Sequence, residues 1–169
     1  PEDRNREGLS KTLTLWENIG ANDYYARPNA QAGWLHIGRA RARARDYLAR
    51  FDIRAPSEMV ELKTLSGGNA QKVVIARELG GQPRVLIAAQ PTRGLDIGAA
   101  RFVHDQLLTL RESGIAVLLI SADLDELLAL SDRIAVLYAG RIVAQMAAND
   151  AQREQLGLYM AGKTMDAVS

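Results

Sequence analysis

The stretch LSGGNAQK, residues 65–72, carries residue types that suit an anion. A serine and two glycines stand just ahead of a helix-forming run. Glycines leave bare backbone N–H groups at a helix N-terminus, where unpaired donors and the helix dipole favour phosphate. The Ser66 hydroxyl adds a donor. The same pattern has a plainer use, a serine N-cap followed by a glycine turn. A second stretch, VLIAAQPT (85–92), is an apolar run that leaves into a loop through Ala89 and Gln90. A methyl group cannot hold a metal or its water, and an amide cannot accept a proton at useful pH. A third stretch, GWLHIGRA (33–40), spaces its glycines as in the phosphate-cradling pattern GxxxxGK[ST]. Arg39 and Ala40 replace the lysine and hydroxyl of that pattern, and no strand is expected ahead of it, so the spacing is coincidental.

These groups need elements to position them. Residues 1–33 are polar and loop-like, with a short helix suggested by Leu9, Leu13, Leu15, Trp16 and Ile19. Alanine and arginine favour helix over 36–51. Helices are expected over about 57–63 and, longer, after Ser66–Gly67. From residue 83 the pattern changes: strand 85–89, helix 98–112, strand 115–121, helix 123–130. RIAVLY and RIVAQM flank Ala139–Gly140 as a tight hairpin, and residues 151–162 suggest a last helix. Alternating strand and helix implies a parallel α/β sheet. The first 80 residues show no strand and read as a helical subdomain.

The chain has 169 residues, which suits one domain with a subdomain, and a net charge of +1, which gives no global bias toward nucleic acid. It has no cysteine, so disulfide, thiol-nucleophile and thiolate-metal chemistry are excluded. No apolar run reaches the roughly 18–20 residues that span a bilayer. The alternate arginines at 39, 41, 43 and 45, with Arg50, would spread around a helix, which favours a solvated face over a nucleic-acid site. His36 and His104 have no neighbouring metal-ligand partner in sequence and read as structural. Trp16 and Trp34 read as core or local packing.

LSGGNAQK resembles the signature motif of ABC-transporter ATPases. PTRGLD (91–96) resembles the D-loop of that family, ISADLDEL (120–127) its switch-histidine segment, and DRIAVLYAGRIV (132–143) the hairpin that follows. The resemblance runs from residue 1 to about 162, with Glu2 where the Q-loop glutamine usually stands. It implies an α/β, P-loop NTPase-like cassette: a helical signature subdomain over 1–82, the later part of a RecA-like core over 83–150, and a C-terminal helix and tail over 151–169. The P-loop and its strand are expected upstream of this segment. A core without them would leave an apolar strand edge exposed.

The resemblance also implies roles. Ser66, Gly67, Gly68, Asn69 and Gln71 would meet the ATP of a second cassette, with Asp96 in the D-loop. The family strand usually ends in Asp-Glu, which orient Mg²⁺ and polarise the attacking water; Ala89 and Gln90 stand there. Ala122 takes the place of the switch histidine. No intact catalytic set and no metal site of its own are therefore expected in this segment. Cassettes of the family pair head to tail, so an intact signature and a degenerate strand end can coexist.

AAQPTRGLD, with Arg93, is similar to the second cassette of tandem sugar and nucleoside importers, and LGLYMAGK (156–163) resembles their end. The implied cofactors are ATP and Mg²⁺. The implied partners are a second cassette in the same polypeptide, membrane permease subunits and a periplasmic or lipoprotein substrate-binding protein, without nucleic acid. The implied location is peripheral, on the cytoplasmic face of the inner or plasma membrane. A non-transport ABC ATPase in regulation, translation or repair, and a non-catalytic interaction domain, are the alternative readings.

Overall fold

The computed structural model describes residues 8–25, 30, 31, 34–81 and 83–163. The first part is helical. A short α1 (Leu15–Gly20) is followed by α2 (Ile37–Arg50) and α3 (Gly67–Gly80). On α2, Ala40, Ala44 and Tyr47 are buried at helical spacing; on α3, Ala70, Val73, Val74 and Ala76 are. Leu15, Ile19, Ala44, Tyr47, Phe51, Ile53, Leu62 and Val73 belong to one apolar core. Helices α2 and α3 approach closely where Gly80 faces the Tyr47 ring, leaving no room for a side chain.

Four expectations for this part are corrected. A two-residue antiparallel pair, β1 (Ala30–Gln31) and β2 (Trp34–Leu35), breaks the strand-free reading, and β2 falls inside GWLHIGRA. Trp34 is 79% exposed on this pair, so it is not core; Trp16 is partly buried against the core. Residues 57–63 do not form an α-helix but a turn and a 3-10 helix at Leu62–Thr64. Their backbone is committed elsewhere: Leu15 N–H donates to Val60 O, Trp16 N–H to Glu58 O, and Leu62 N–H to Leu13 O. Nor are the arginines of α2 merely solvated. Arg41 and Arg45, one helical turn apart, both reach the buried Glu58 carboxylate, and Arg43 pairs with Asp23.

The second part alternates strand and helix: β3 (Val85–Ala89), α4 (Ile97–Glu112), β4 (Ala116–Ile120), α5 (Leu124–Leu130), β5 (Arg133–Tyr138), β6 (Arg141–Ala147) and α6 (Arg153–Met160). Strands β3 and β4 pair in parallel, from Val85 opposite Ala116 to Ala89 opposite Ile120. Strands β5 and β6 form an antiparallel hairpin whose turn, Ala139–Gly140, takes positive φ at both residues, the geometry of a tight two-residue loop. The hairpin packs with Leu156 and Tyr159 of α6 in a second apolar core.

Helix α4 buries Val103 and Leu107 and lies with half-buried Leu86 and Ala88 of β3. The opposite face of the β3–β4 pair is open: Val85, Ile87, Leu118 and Ile120 are exposed. Strands β4 and β5 are in different sheets. A cleft of about 440 Å³ between them is lined by Val117, Leu119, Leu127 and Ile134.

Candidate functional site

The N-terminus of α3 is capped by Ser66, whose Oγ accepts from the Asn69 N–H at 3.4 Å and the Asn69 amide at 3.2 Å. The Asn69 side-chain Oδ1 in turn accepts from the Arg54 N–H at 2.9 Å. The plainer reading of this motif, a serine cap, is thus realised. It uses Ser66 as an acceptor, so its hydroxyl proton remains able to donate outward. Ser66 and Gly67 are exposed.

A second helix end lies against the first. Asp96 caps α4 by accepting from the Ala99 N–H at 2.8 Å. A methyl built on Gly68 would sit 3.1 Å from the Ala99 Cβ and 3.7 Å from Asp96 Oδ2. Glycine at 68 is what lets the two ends approach this closely.

The turn after β3 sits beside this pair. Gln90 has φ +48°, a left-handed conformation unusual for a side chain of its size. Its N–H donates to Ile120 O at 2.7 Å, which levels the ends of β3 and β4. Pro91 O accepts from Gln71 Nε2 at 3.0 Å, so α3 holds the turn directly. Ala89, Gln90 and Ala122 all lie at the carboxyl end of the parallel pair, where ligands of open α/β sheets bind. None of the three carries a carboxylate or imidazole. Among the described residues no group of three or more His, Cys, Asp or Glu side chains is placed to hold a metal. Glu2 lies outside the described residues.

One cluster is absent from the sequence reading. Glu126 of α5 is buried, and its Oε1 accepts from Thr92 Oγ1 at 2.9 Å and lies 2.9 Å from His104 Nε2. His104 therefore keeps a structural place, but with a carboxylate partner 22 positions away. The available signal was an acidic residue among the leucines of DLDELLAL; nothing local says what it meets.

No helix among the described residues is long and apolar enough to cross a membrane. Residues 3–93, more than half of the chain, match the family described as ABC transporter. The guanosine import ATP-binding protein NupO of Bacillus subtilis (strain 168) is 46% identical over 164 residues, which cover 97% of this chain and 32% of that protein. The nucleoside import ATP-binding protein NupA of Lactococcus lactis subsp. cremoris (strain MG1363) is 44% identical over 96% of this chain and 32% of its own length. The chain thus spans less than a third of either relative. Among solved structures, a dimeric ATP-binding cassette, MJ0796, in a post-hydrolysis state bound to ADP and Pi is similar with a TM-score of 0.69 and 26% identity, over 85% of this chain and 60% of that one.

Proposed function

The chain belongs to the ABC transporter family, and from that premise we propose that it is the later part of an importer's ATP-binding subunit for nucleosides or simple sugars. The observation that carries this reading is the exposed, capped N-terminus of α3 at Ser66–Gly68, backed by the N-terminus of α4. Such an end offers N–H donors and a favourable dipole to a phosphate brought from outside. Ser66, Gly67, Gly68, Asn69 and Gln71 form this signature, with Asp96 behind it, and a second cassette brings the ATP and its Mg²⁺. The cassette's own strand end is degenerate at Ala89, Gln90 and Ala122, so hydrolysis is left to the partner's site.

The wider assignments belong to the same proposal. Residues 1–82 form the signature subdomain, 83–150 the later RecA-like core and 151–169 a C-terminal helix and tail. A P-loop strand from the longer polypeptide seats against the open edges of β4 and β5. The second cassette lies in the same polypeptide and works at the cytoplasmic face with permease subunits and a substrate-binding protein. The preference for nucleosides rests on the relatives that import guanosine and nucleosides.

The test is Ser66→Arg in the intact ATPase, reconstituted with its permease in vesicles. A bulky cation at the cap displaces the donors, and ATPase and uptake should fall by about a hundredfold, as when a preorganised donor is lost. Restoring Ala89→Asp, Gln90→Glu and Ala122→His should change uptake far less. The isolated chain should turn over ATP below about 1 s⁻¹. Wild-type ATPase and uptake after Ser66→Arg would overturn the reading.

A further inference from the structure

Building on the signature reading above, we propose that Glu126 is a positioning residue: through Thr92 it fixes the turn that backs Ser66–Gly68, and so sets where that helix end meets nucleotide. The turn is tied to three elements. Gln90 N–H is bonded to Ile120 O at the end of β4, Pro91 O to Gln71 on α3, and Thr92 Oγ1 to Glu126 on α5. A few residues on, Asp96 and Ala99 abut Gly68. Remove the Thr92 tie and the turn keeps its hold on α3 but loses its anchor on α5.

The chemistry of Glu126 argues against a purely stabilising part. It is 3% exposed, yet its Oε2 has no hydrogen-bond partner among the described residues. A buried carboxylate with an unused oxygen is costly, and a fully apolar cluster in place of Glu126 and both its partners would often serve stability as well. The backbone of Glu126 is held independently, since its N–H donates to the Asp123 cap. Helix α5 therefore does not need this side chain to form. What the carboxylate supplies and a leucine cannot is one acceptor atom shared by Thr92 and His104, which joins the turn, α4 and α5 at a fixed distance.

The experiment compares Glu126→Leu, Glu126→Gln and Thr92→Val in the intact ATPase reconstituted with its permease, with Ser66→Arg alongside. Glu126→Leu should lower kcat about tenfold, a fraction of an ångström in positioning, with KM for ATP within twofold and a somewhat lower melting temperature, because Thr92 and His104 lose their shared acceptor. Glu126→Gln, which keeps the acceptor, should recover most of that loss. Thr92→Val should reproduce it, and combining Thr92→Val with Glu126→Leu should add nothing. The proposal is overturned if Glu126→Leu keeps kcat within twofold, if the glutamine variant is as slow as the leucine one, or if the double variant multiplies the two losses. Should Glu126→Leu fail to fold, Thr92→Val decides alone: wild-type kcat overturns the proposal, and a tenfold loss at unchanged melting temperature sustains it. Failure here with Ser66→Arg still inactive would leave the signature reading standing; an active Ser66→Arg would remove both.

Discussion

Gly68→Ala tests whether the two helix ends work as one packed unit. The added methyl would lie 3.1 Å from the Ala99 Cβ. Carbon atoms prefer about 3.5–4.0 Å, so the N-terminus of α3 must retreat by roughly half an ångström. Overpacking of this size costs about 1 kcal/mol, the low end for an added methylene. Replacing glycine by alanine in a helix returns up to about 1 kcal/mol. The net change in stability should be near zero, and the melting temperature should move by less than about 3 °C. On the proposed reading, function should not be spared. A displacement of about 1 Å costs on the order of a hundredfold, so half of that should cost about tenfold in ATPase rate. The assay is steady-state ATPase of the reconstituted intact protein, with calorimetry on the same samples. The control is a second change, Ala99→Gly, which removes the atom that the new methyl meets. Gly68→Ala with Ala99→Gly should recover most of the rate, although glycine in α4 costs roughly 0.5–1 kcal/mol of stability. A full-speed Gly68→Ala enzyme would refute the crowding argument. So would a double variant as slow as Gly68→Ala when Ala99→Gly alone is near wild type.

Three further outcomes are expected of the isolated chain. Gly80→Ala would drive a methyl into the Tyr47 ring and hydroxyl; it should cost about 2 kcal/mol and lower the melting temperature by roughly 4–8 °C, and an unchanged melt by circular dichroism would show that Tyr47 swings aside freely. The Glu17 carboxyl is held below the usual carboxylate range, first by the Thr14 hydroxyl at 2.5 Å and then by the Thr14 N–H at 2.8 Å. A depressed folded-state pKa stabilises the fold at pH above the unfolded value and loses that contribution as pH falls through the folded one. Urea melts of wild type and Glu17→Gln should therefore converge toward acid and separate at neutral pH, and curves parallel across that range would contradict this. The open face at Val85, Ile87, Leu118 and Ile120 should make the chain self-associate, because parallel strands are normally covered on both faces. Sedimentation should show concentration dependence that Ile87→Lys weakens; a monomer melting cooperatively above about 65 °C would count against it.

What the sequence made legible was local. The strand ends, the helices from 66 onward and the Ala139–Gly140 turn follow from periodicity, caps and turn chemistry, each complete within a few residues. Segment 57–63 misled because its helical pattern competes with hydrogen bonds to residues 13–16, far off in sequence. The arginines of α2 misled likewise: spacing says that they spread around a helix, but not that Glu58 and Asp23 wait on two sides of it. Trp34 reads as core by residue type, yet its short edge pair carries it outward. At the candidate site, Ser66–Gly68 was readable as a capped helix end. The Glu126 cluster was not, because its bonds join residues 34 and 22 positions apart.

The same distinction bears on how this strand end keeps its shape with Ala89 and Gln90 in place. Gln90 holds a left-handed backbone, which costs a non-glycine residue about 1–2 kcal/mol. A side chain needed only to fill space would not require that conformation. The bonds that use it are backbone bonds: Gln90 N–H to Ile120 O, and Pro91 O to the Gln71 amide. The turn's grip on α3 and β4 thus depends on main-chain atoms of Gln90 and Pro91, which would be the same with aspartate at 89 and glutamate at 90. On the proposed reading, the carboxylates serve hydrolysis at this cassette's own site, whereas the turn serves the signature offered to the other. The two tasks rest on different atoms, side chains at 89 and 90 for the first and main chain at 90 and 91 for the second. One can therefore be lost without the other, and Ser66 should remain sensitive to substitution where Ala89 and Gln90 are not.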